Sequence, residues 1–221
     1  MVIHKYDVYR SPNVGLFLRT NDDTLLLPFG FAETKAKKLK EYLDVEKIIH
    51  VSIAGTRLIG PMTVMNNNGI LLPSTVSDDE IRILKQTGLN VDRLKSKFTA
   101  IGNLISANDK GAVVSNLFKG EVDQNIKDIL GVPLQTLSIG GYILVGSMIV
   151  ATNAGAIVHP IASDSEISTI SEILQVEAEP ATVNGGSPFL SSGILANFSS
   201  VIVGNLTTGP ELIMISRGLK V

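Results

Sequence analysis

Gly60-Pro61-Met62-Thr63-Val64-Met65-Asn66-Asn67-Asn68-Gly69-Ile70-Leu71-Leu72-Pro73 is the stretch whose pattern repeats along the chain. A glycine is followed six residues on by asparagine, and nine residues on by a second glycine that opens a short aliphatic run. The same pair recurs at Gly102 and Gly111 before Ala112-Val113-Val114-Ser115, and at Gly146 and Gly155 before Ala156-Ile157-Val158. Degenerate copies flank these, with Gly15 and Thr24 before Leu25-Leu26-Leu27-Pro28, and Ser191 and Ser200 before Val201-Ile202-Val203. The five anchors at 15, 60, 102, 146 and 191 lie 45, 42, 44 and 45 residues apart, a period that two unrelated domains would not produce. One domain of five repeats over residues 1–221 is therefore expected.

Each repeat can be read in the same order. Asn21, Asn66, Asn108 and Asn197, six residues after their anchors, sit between β-rich runs and predict hairpins through their tolerance of positive φ. Seventeen residues after the anchor, Ser77-Asp78-Asp79-Glu80, Ser163-Asp164-Ser165-Glu166 and Thr208-Gly209-Pro210-Glu211 carry the hydroxyl and glutamate of a capping box. Apolar residues at helical spacing follow, and helices are expected over 33–43 and 121–130 in the repeats that lack the box. A further strand is expected after each of the first four helices, over 47–53, 94–99, 134–139 and 178–183. The fifth helix is expected to end near Arg217 with no strand behind it, whereas Val2–Val8 is a strand with no repeat of its own. Pairing the two closes the five α/β repeats into a ring without free edges.

Composition limits the function. Apolar residues make up 44% of the chain and charged residues 18%, enough for a continuous core, and the net charge of -2 gives no global attraction to nucleic acid or anionic membrane. The apolar run from Leu137 to Ala151 is interrupted by three glycines and falls short of the ~20 residues of a spanning helix; two strands are expected there. The N-terminus shows no basic segment followed by an apolar run, so a cytoplasmic protein is expected. The absence of cysteine excludes disulfides, thiolate metal sites and a cysteine nucleophile. His4, His50 and His159 lie far apart without carboxylates at ligand spacing, and no phosphate-binding glycine loop or nucleophile elbow is present, so neither cofactor nor metal is expected. The lysines at 35, 37, 38 and 40 spread around an exposed helix face, and Asp78, Asp79, Asp164 and Glu166 are explained by the helix dipole. The hinges Ala54-Gly55, Gly140-Gly141 and Asn184-Gly185-Gly186 suit tight turns or close approach by a partner; Arg57, beside the first, could tie repeats together or reach a partner carboxylate.

His50-Val51-Ser52-Ile53-Ala54-Gly55-Thr56-Arg57-Leu58-Ile59-Gly60 resembles a block typical of the translation initiation factor 6 family. Gly69–Pro73, Ala100–Asn103, Asn153–Pro160, Thr182–Gly186 and Thr207–Glu211 resemble it too, so the likeness touches every repeat. The chain's end shortly after Arg217 is similar to archaeal members, since eukaryotic ones carry a regulatory extension. The resemblance implies the pentein fold, a five-bladed α/β ring, and a non-enzymatic monomer that binds the large ribosomal subunit. The contact would be chiefly ribosomal protein L14 (uL14), with nearby ribosomal RNA as a further contact. Bound there, the factor would sterically prevent joining of the small subunit, in translation initiation or ribosome biogenesis. Carried over position by position, the implied ribosome-binding residues are Asn103 and Phe189 first, then Pro61, Met62, Leu104, Ser147, Met148 and Arg57. Pro61 stands where eukaryotic members commonly have a basic residue, and strand alternation would turn some of this set inward. The fold also houses guanidine-modifying enzymes, but these need the cysteine this chain lacks. A ring that serves as a scaffold for some other protein is the remaining alternative.

Overall fold

The computed structural model describes residues 2–118 and 120–221. It contains five three-stranded sheets, one per repeat. In the second repeat Val64–Met65 runs antiparallel to Gly69–Leu72, which also pairs in parallel with Asn90–Arg93; the helix Asp78–Leu84 makes the crossover. The central strand is thus the second arm of the hairpin, buried throughout, while the outer strands that pair with it in parallel are partly exposed. Val2–Lys5 pairs in parallel with Ser200–Val203 and gives the fifth sheet its third strand, as the unpaired N-terminal segment led us to expect.

Alternation along each central strand lets one strand serve two cores. Leu25 and Leu27 pack beneath the helix Glu33–Leu43 together with Leu195 and Ile202 of the fifth repeat, whereas Leu26 faces the second repeat's core with Ile70 and Leu72. In the same way Leu71 joins the third repeat's core, Val113 the fourth's and Ile157 the fifth's. Each core therefore borrows from the repeat before it.

Several boundaries differ from the sequence reading, for physical reasons. The anchors do not open strands: they lie in single helical turns, Val14–Phe17, Ile59–Met62, Ile101–Asn103, Val145–Met148 and Leu190–Gly193, that precede each hairpin. These turns pack on one another so closely that a Cβ at Gly60 would strike the Gly15 carbonyl, and one at Gly102 or Gly146 the carbonyl of the anchor before it. Gly15 stands in the same relation to Ser191. The run 137–151 accordingly holds a strand end, a tight turn and a helical turn before the strand Ile149–Ala151, rather than two strands alone.

The parallel strands also stop earlier, at His50, Leu137 and Pro180, because the glycine hinges are tight turns closed by the bridges Ile53–Thr56, Ile139–Tyr142 and Val183–Ser187. Val2–Lys5 likewise ends before the bridge Val8–Ser11. In the second repeat the strand is Asn90–Arg93, not 94–99, since Gly88 ends the helical segment at φ 84° and the chain enters the sheet at once. The third repeat's helix begins at Asp123, after a 3-10 turn over Asn116–Phe118.

The asparagines act through their side chains rather than through positive φ, which none of the four adopts. Asn108 Oδ1 accepts from the N–H groups of Lys110 and Gly111, closing its own turn. Its Nδ2 donates to the Thr152 carbonyl (3.1 Å) and to that of Leu174 (2.8 Å), the last residue of the neighbouring repeat's helix. Asn66 does the same with Asn108 and Leu130, and Asn197 with Asn21 and Leu43, while Asn21 reaches Asn66. Helix ends leave carbonyls without intrahelical partners, and these amides supply donors across the repeat boundary. Thr152 occupies the fourth position; its hydroxyl accepts from Ala154 and Gly155 but donates to no neighbouring repeat among the described residues.

Removing four hydrogen bonds at once, three of them buried, by Asn108→Ala is expected to cost about 3 kcal/mol in urea unfolding. Thr152→Asn restores the missing link and is expected to raise stability by about 1 kcal/mol, moving the midpoint without altering the slope.

Candidate functional site

The strand registers gather equivalent features at two ends of the repeats. The asparagine turns lie at one end; the helical turns and the tight turns lie at the other, because Leu27 pairs with His50 and Leu72 with Arg93 where the hairpins open. This second end carries most of the exposed large apolar side chains. Tyr9, Leu58, Tyr142, Ile143 and Phe189 project from the tight turns and the segments that follow them, and Phe29, Ile161 and Leu206 from the loops after the central strands. Apolar groups gathered on one end of a folded chain mark an interaction surface more strongly than the same residues scattered singly.

Between them lies a depression of about 360 Å³, lined by residues that include Asn13, Leu144, Ser187 and Phe189. Its walls take one residue from every repeat: Leu16, Pro61, Asn103, Ser147 and Ser192, each directly after an anchor. The helical turn explains this. The residue after the anchor faces the depression, and the next one rotates toward the core.

The sequence-derived residues divide along this line. Pro61, Asn103, Ser147 and Phe189 come together around the depression. Phe189 is 45% exposed, and Ser147, although buried, bonds its hydroxyl to the Leu144 carbonyl in the wall. Leu104 and Met148 are 5% and 2% exposed and belong to the third and fourth cores, turned away from the depression. Met62 is half-buried against the second core. Arg57 is exposed, with its guanidinium 5.8 Å from the Tyr9 ring centroid, which ties the first two tight turns together. Sequence reasoning missed Leu16, Ser192, Tyr9, Leu58, Tyr142 and Ile143. The signal was available: anchor-plus-one positions share a helical turn, and the last four flank the hinges.

The capping-box glutamates position this surface. Glu80 Oε2 accepts from Ser77 N at its own helix start, and the same carboxylate also accepts from Ala54 N (3.1 Å), Gly55 N (3.0 Å) and Ser52 Oγ (2.9 Å). Glu211 binds Thr208 N, Gly185 N, Gly186 N and Thr182 Oγ1, and Glu166 binds Ser163 N and Gly140 N. Each carboxylate caps a helix and fixes the turn that precedes its own anchor. Burial pushes the Glu211 carboxyl up, but the N–H donors of Thr208, Gly185 and Gly186 and the Thr182 hydroxyl outweigh it and hold the pKa down to about 2. The first and third repeats lack both the capping glutamate and the hinge glycine; Tyr9 and Arg10 take positive φ in the first.

The histidines have local partners: His4 stacks on Tyr42 with ring centroids 3.8 Å apart, His50 lies 3.5 Å from Glu33, and His159 Nδ1 accepts from Ile161 N. No helix among the described residues is long and apolar enough to cross a membrane.

The model of the eIF-6 family matches residues 3–218. The chain belongs to the eIF-6 family. It is 50% identical over 218 residues to the translation initiation factor 6 of Nitrosopumilus maritimus strain SCM1 and 49% identical over 218 residues to that of Cenarchaeum symbiosum strain A; each alignment covers 98% of both chains. It is 39% identical to the protein of the same name from Pyrococcus horikoshii, over 99% of each chain. The chain is thus an eIF-6 family translation initiation factor of archaeal type, as the block at 50–60 led us to expect.

The depressed pKa of Glu211 sets a sign for acid stability. The carboxylate's contribution, on the order of 2 kcal/mol, is present above the unfolded value near 4.5 and is lost as pH falls toward about 2. Glu211→Gln is expected to be less stable at neutral pH and to flatten the decline between pH 5 and 2, as followed by urea titrations across that range.

Proposed function

We propose that the end bearing the depression docks on the large ribosomal subunit and, while bound, keeps the small subunit from joining. The observation that carries this reading is a shallow cavity, lined by Phe189, to which all five repeats contribute, at the end of the repeats that also exposes Tyr142, Ile143 and Leu58. A broad apolar rim with amide and hydroxyl groups at its centre suits a protein partner, where buried aromatics supply most of the affinity and polar groups set the register. A net charge of -2 is consistent with a protein contact, ribosomal protein L14 (uL14) being the expected one, with ribosomal RNA secondary. The five repeats form a closed ring, the pentein fold. Supporting this, the anchor contacts run from Gly15 through Gly146 with Gly15 against Ser191, and Asn197 bonds back to Asn21.

A rigid ring of this kind blocks joining by occupying space, so binding alone suffices and neither nucleotide nor metal takes part. The factor acts in the cytoplasm as a monomer, in initiation, in subunit maturation or in both.

Sucrose-gradient sedimentation of purified subunits tests the reading. The protein is expected to migrate with large subunits alone and to reduce joined particles without added nucleotide. Phe189→Ala combined with Tyr142→Ala is expected to weaken binding at least tenfold while leaving the unfolding midpoint near wild type. Equal migration with small subunits, or binding that is unchanged in the double variant, rejects it.

A further inference from the structure

Four residues after each anchor the chain carries Arg19, Val64, Ser106, Val150 and Leu195. Only the first repeat places a charge at this position. Arg19 lines a small cavity of about 50 Å³ enclosed by the first hairpin strands of all five repeats and the Ser191 turn. The other walls are Met65, Ala107, Ala151, Leu195 and Ala196 with a few hydroxyls, and no carboxylate is among them. Protein packs densely around Arg19, which lines the cavity and keeps part of its surface accessible.

The guanidinium makes no hydrogen bond or ion pair with any described residue. Burial lowers its pKa to about 10, which leaves it protonated at neutral pH. A cation crowded by protein and without a paired charge is costly, and arginine cannot escape that cost by losing its proton near neutrality. The closest candidates for an internal counter-charge, Asp22 and Asp109 on the hairpin turns, line the adjoining recess but are engaged elsewhere. Asp22 accepts from Phe198 N (2.7 Å) and Asn67 Nδ2 (2.6 Å); Asp109 accepts from Asn67 N (2.8 Å), Asn67 Nδ2 (2.6 Å) and Asn153 Nδ2 (2.5 Å). No acidic side chain of the described residues is therefore free to neutralise Arg19, and its donors are left to water or an anion in the cavity.

We propose that Arg19 binds a small inorganic monoanion, of chloride size, in the cavity between the five hairpins. The volume selects the class. It accommodates a halide and a water or two, since one water needs roughly 10–15 Å³ on this measure, but not a hydrated tetrahedral dianion. The donors fit as well, because the guanidinium N–H groups and the Ser191 hydroxyl can point at an anion, while the Ser106 hydroxyl donates to the Ile149 carbonyl. The site is structural, neutralising a charge at the junction of all five repeats, and does not depend on what the exposed end binds.

Two measurements on the purified full chain test it. Thermal unfolding is compared in sodium chloride, sodium bromide and sodium gluconate at equal ionic strength, for wild type and Arg19→Gln. An anion bound only to the folded chain stabilises it by mass action, so the halides are expected to raise the wild-type Tm about 3 °C or more above gluconate, with the difference lost in Arg19→Gln. Crystals of the wild type in bromide are expected to show an anomalous peak within hydrogen-bonding distance of the Arg19 guanidinium. A halide response of equal size in both proteins, or bromide peaks only at other places, overturns the proposal. If Arg19→Gln does not fold, the bromide map of the wild type decides alone.

Discussion

One interaction recurs at the junctions between repeats: an asparagine amide at a hairpin turn that is shared by two repeats. Its carbonyl oxygen closes its own turn, and its NH2 crosses to a neighbour's turn and, in three of four copies, to the last carbonyl of the neighbour's helix. A single planar group thus sets turn, strand register and helix end together. No other uncharged side chain of similar size offers two acceptor lone pairs and two donors on so short a stem. Threonine, in the fourth repeat, keeps the acceptor half of the function and loses the donor half.

At the opposite end of each hairpin the constraint is steric. Successive anchor turns approach to the point where a backbone carbonyl takes the space of a side chain. The hairpin is clamped at both ends, by a hydrogen bond at the asparagine end and by the missing side chain at the anchor end. This clamping lets strands of two to four residues hold a sheet, and it leaves the loops at the anchor end as the part free to vary. Where these loops contain glycine, a glutamate from the helix start of the same repeat fixes them, so the exposed rim is held by the same residues that start the helices.

Much of this was legible because it is periodic. Spacing alone located the anchors, the hairpin turns, the capping boxes, the helix Glu33–Leu43 and the unpaired first strand. What periodicity could not convey was the conformation at the anchor. A glycine before a β-rich run reads as a strand or a turn with equal ease, and only the packing of one anchor on the next makes it helical. That one error propagated to the candidate site. Strand alternation already warned that some of the set would face inward; the helical turn, which separates neighbours by about 100°, sends Leu104 and Met148 into the core and leaves Asn103 and Ser147 at the depression. The aromatic rim was missed for a different reason. Tyr9 lies inside its tight turn, Tyr142 closes its turn and Phe189 follows its turn just before a helical turn, so no repeat pattern points to them.

Those differences matter physically. A surface with true fivefold equivalence would offer a partner five registers of equal energy, and binding would fix a face without fixing a rotation. Here the positions that build the scaffold are nearly uniform, with glycine at four of five anchors and asparagine at four of five turns. The five positions directly after the anchors are leucine, proline, asparagine, serine and serine, and the rim carries Phe189 in one repeat and Tyr142 with Ile143 in another. Rotating a partner by one repeat would set an amide where an apolar contact is needed and leave buried polar groups unpaired, at about 1–3 kcal/mol for each mismatch. Repetition thus supplies rigidity, and its failures at the exposed end supply a single orientation.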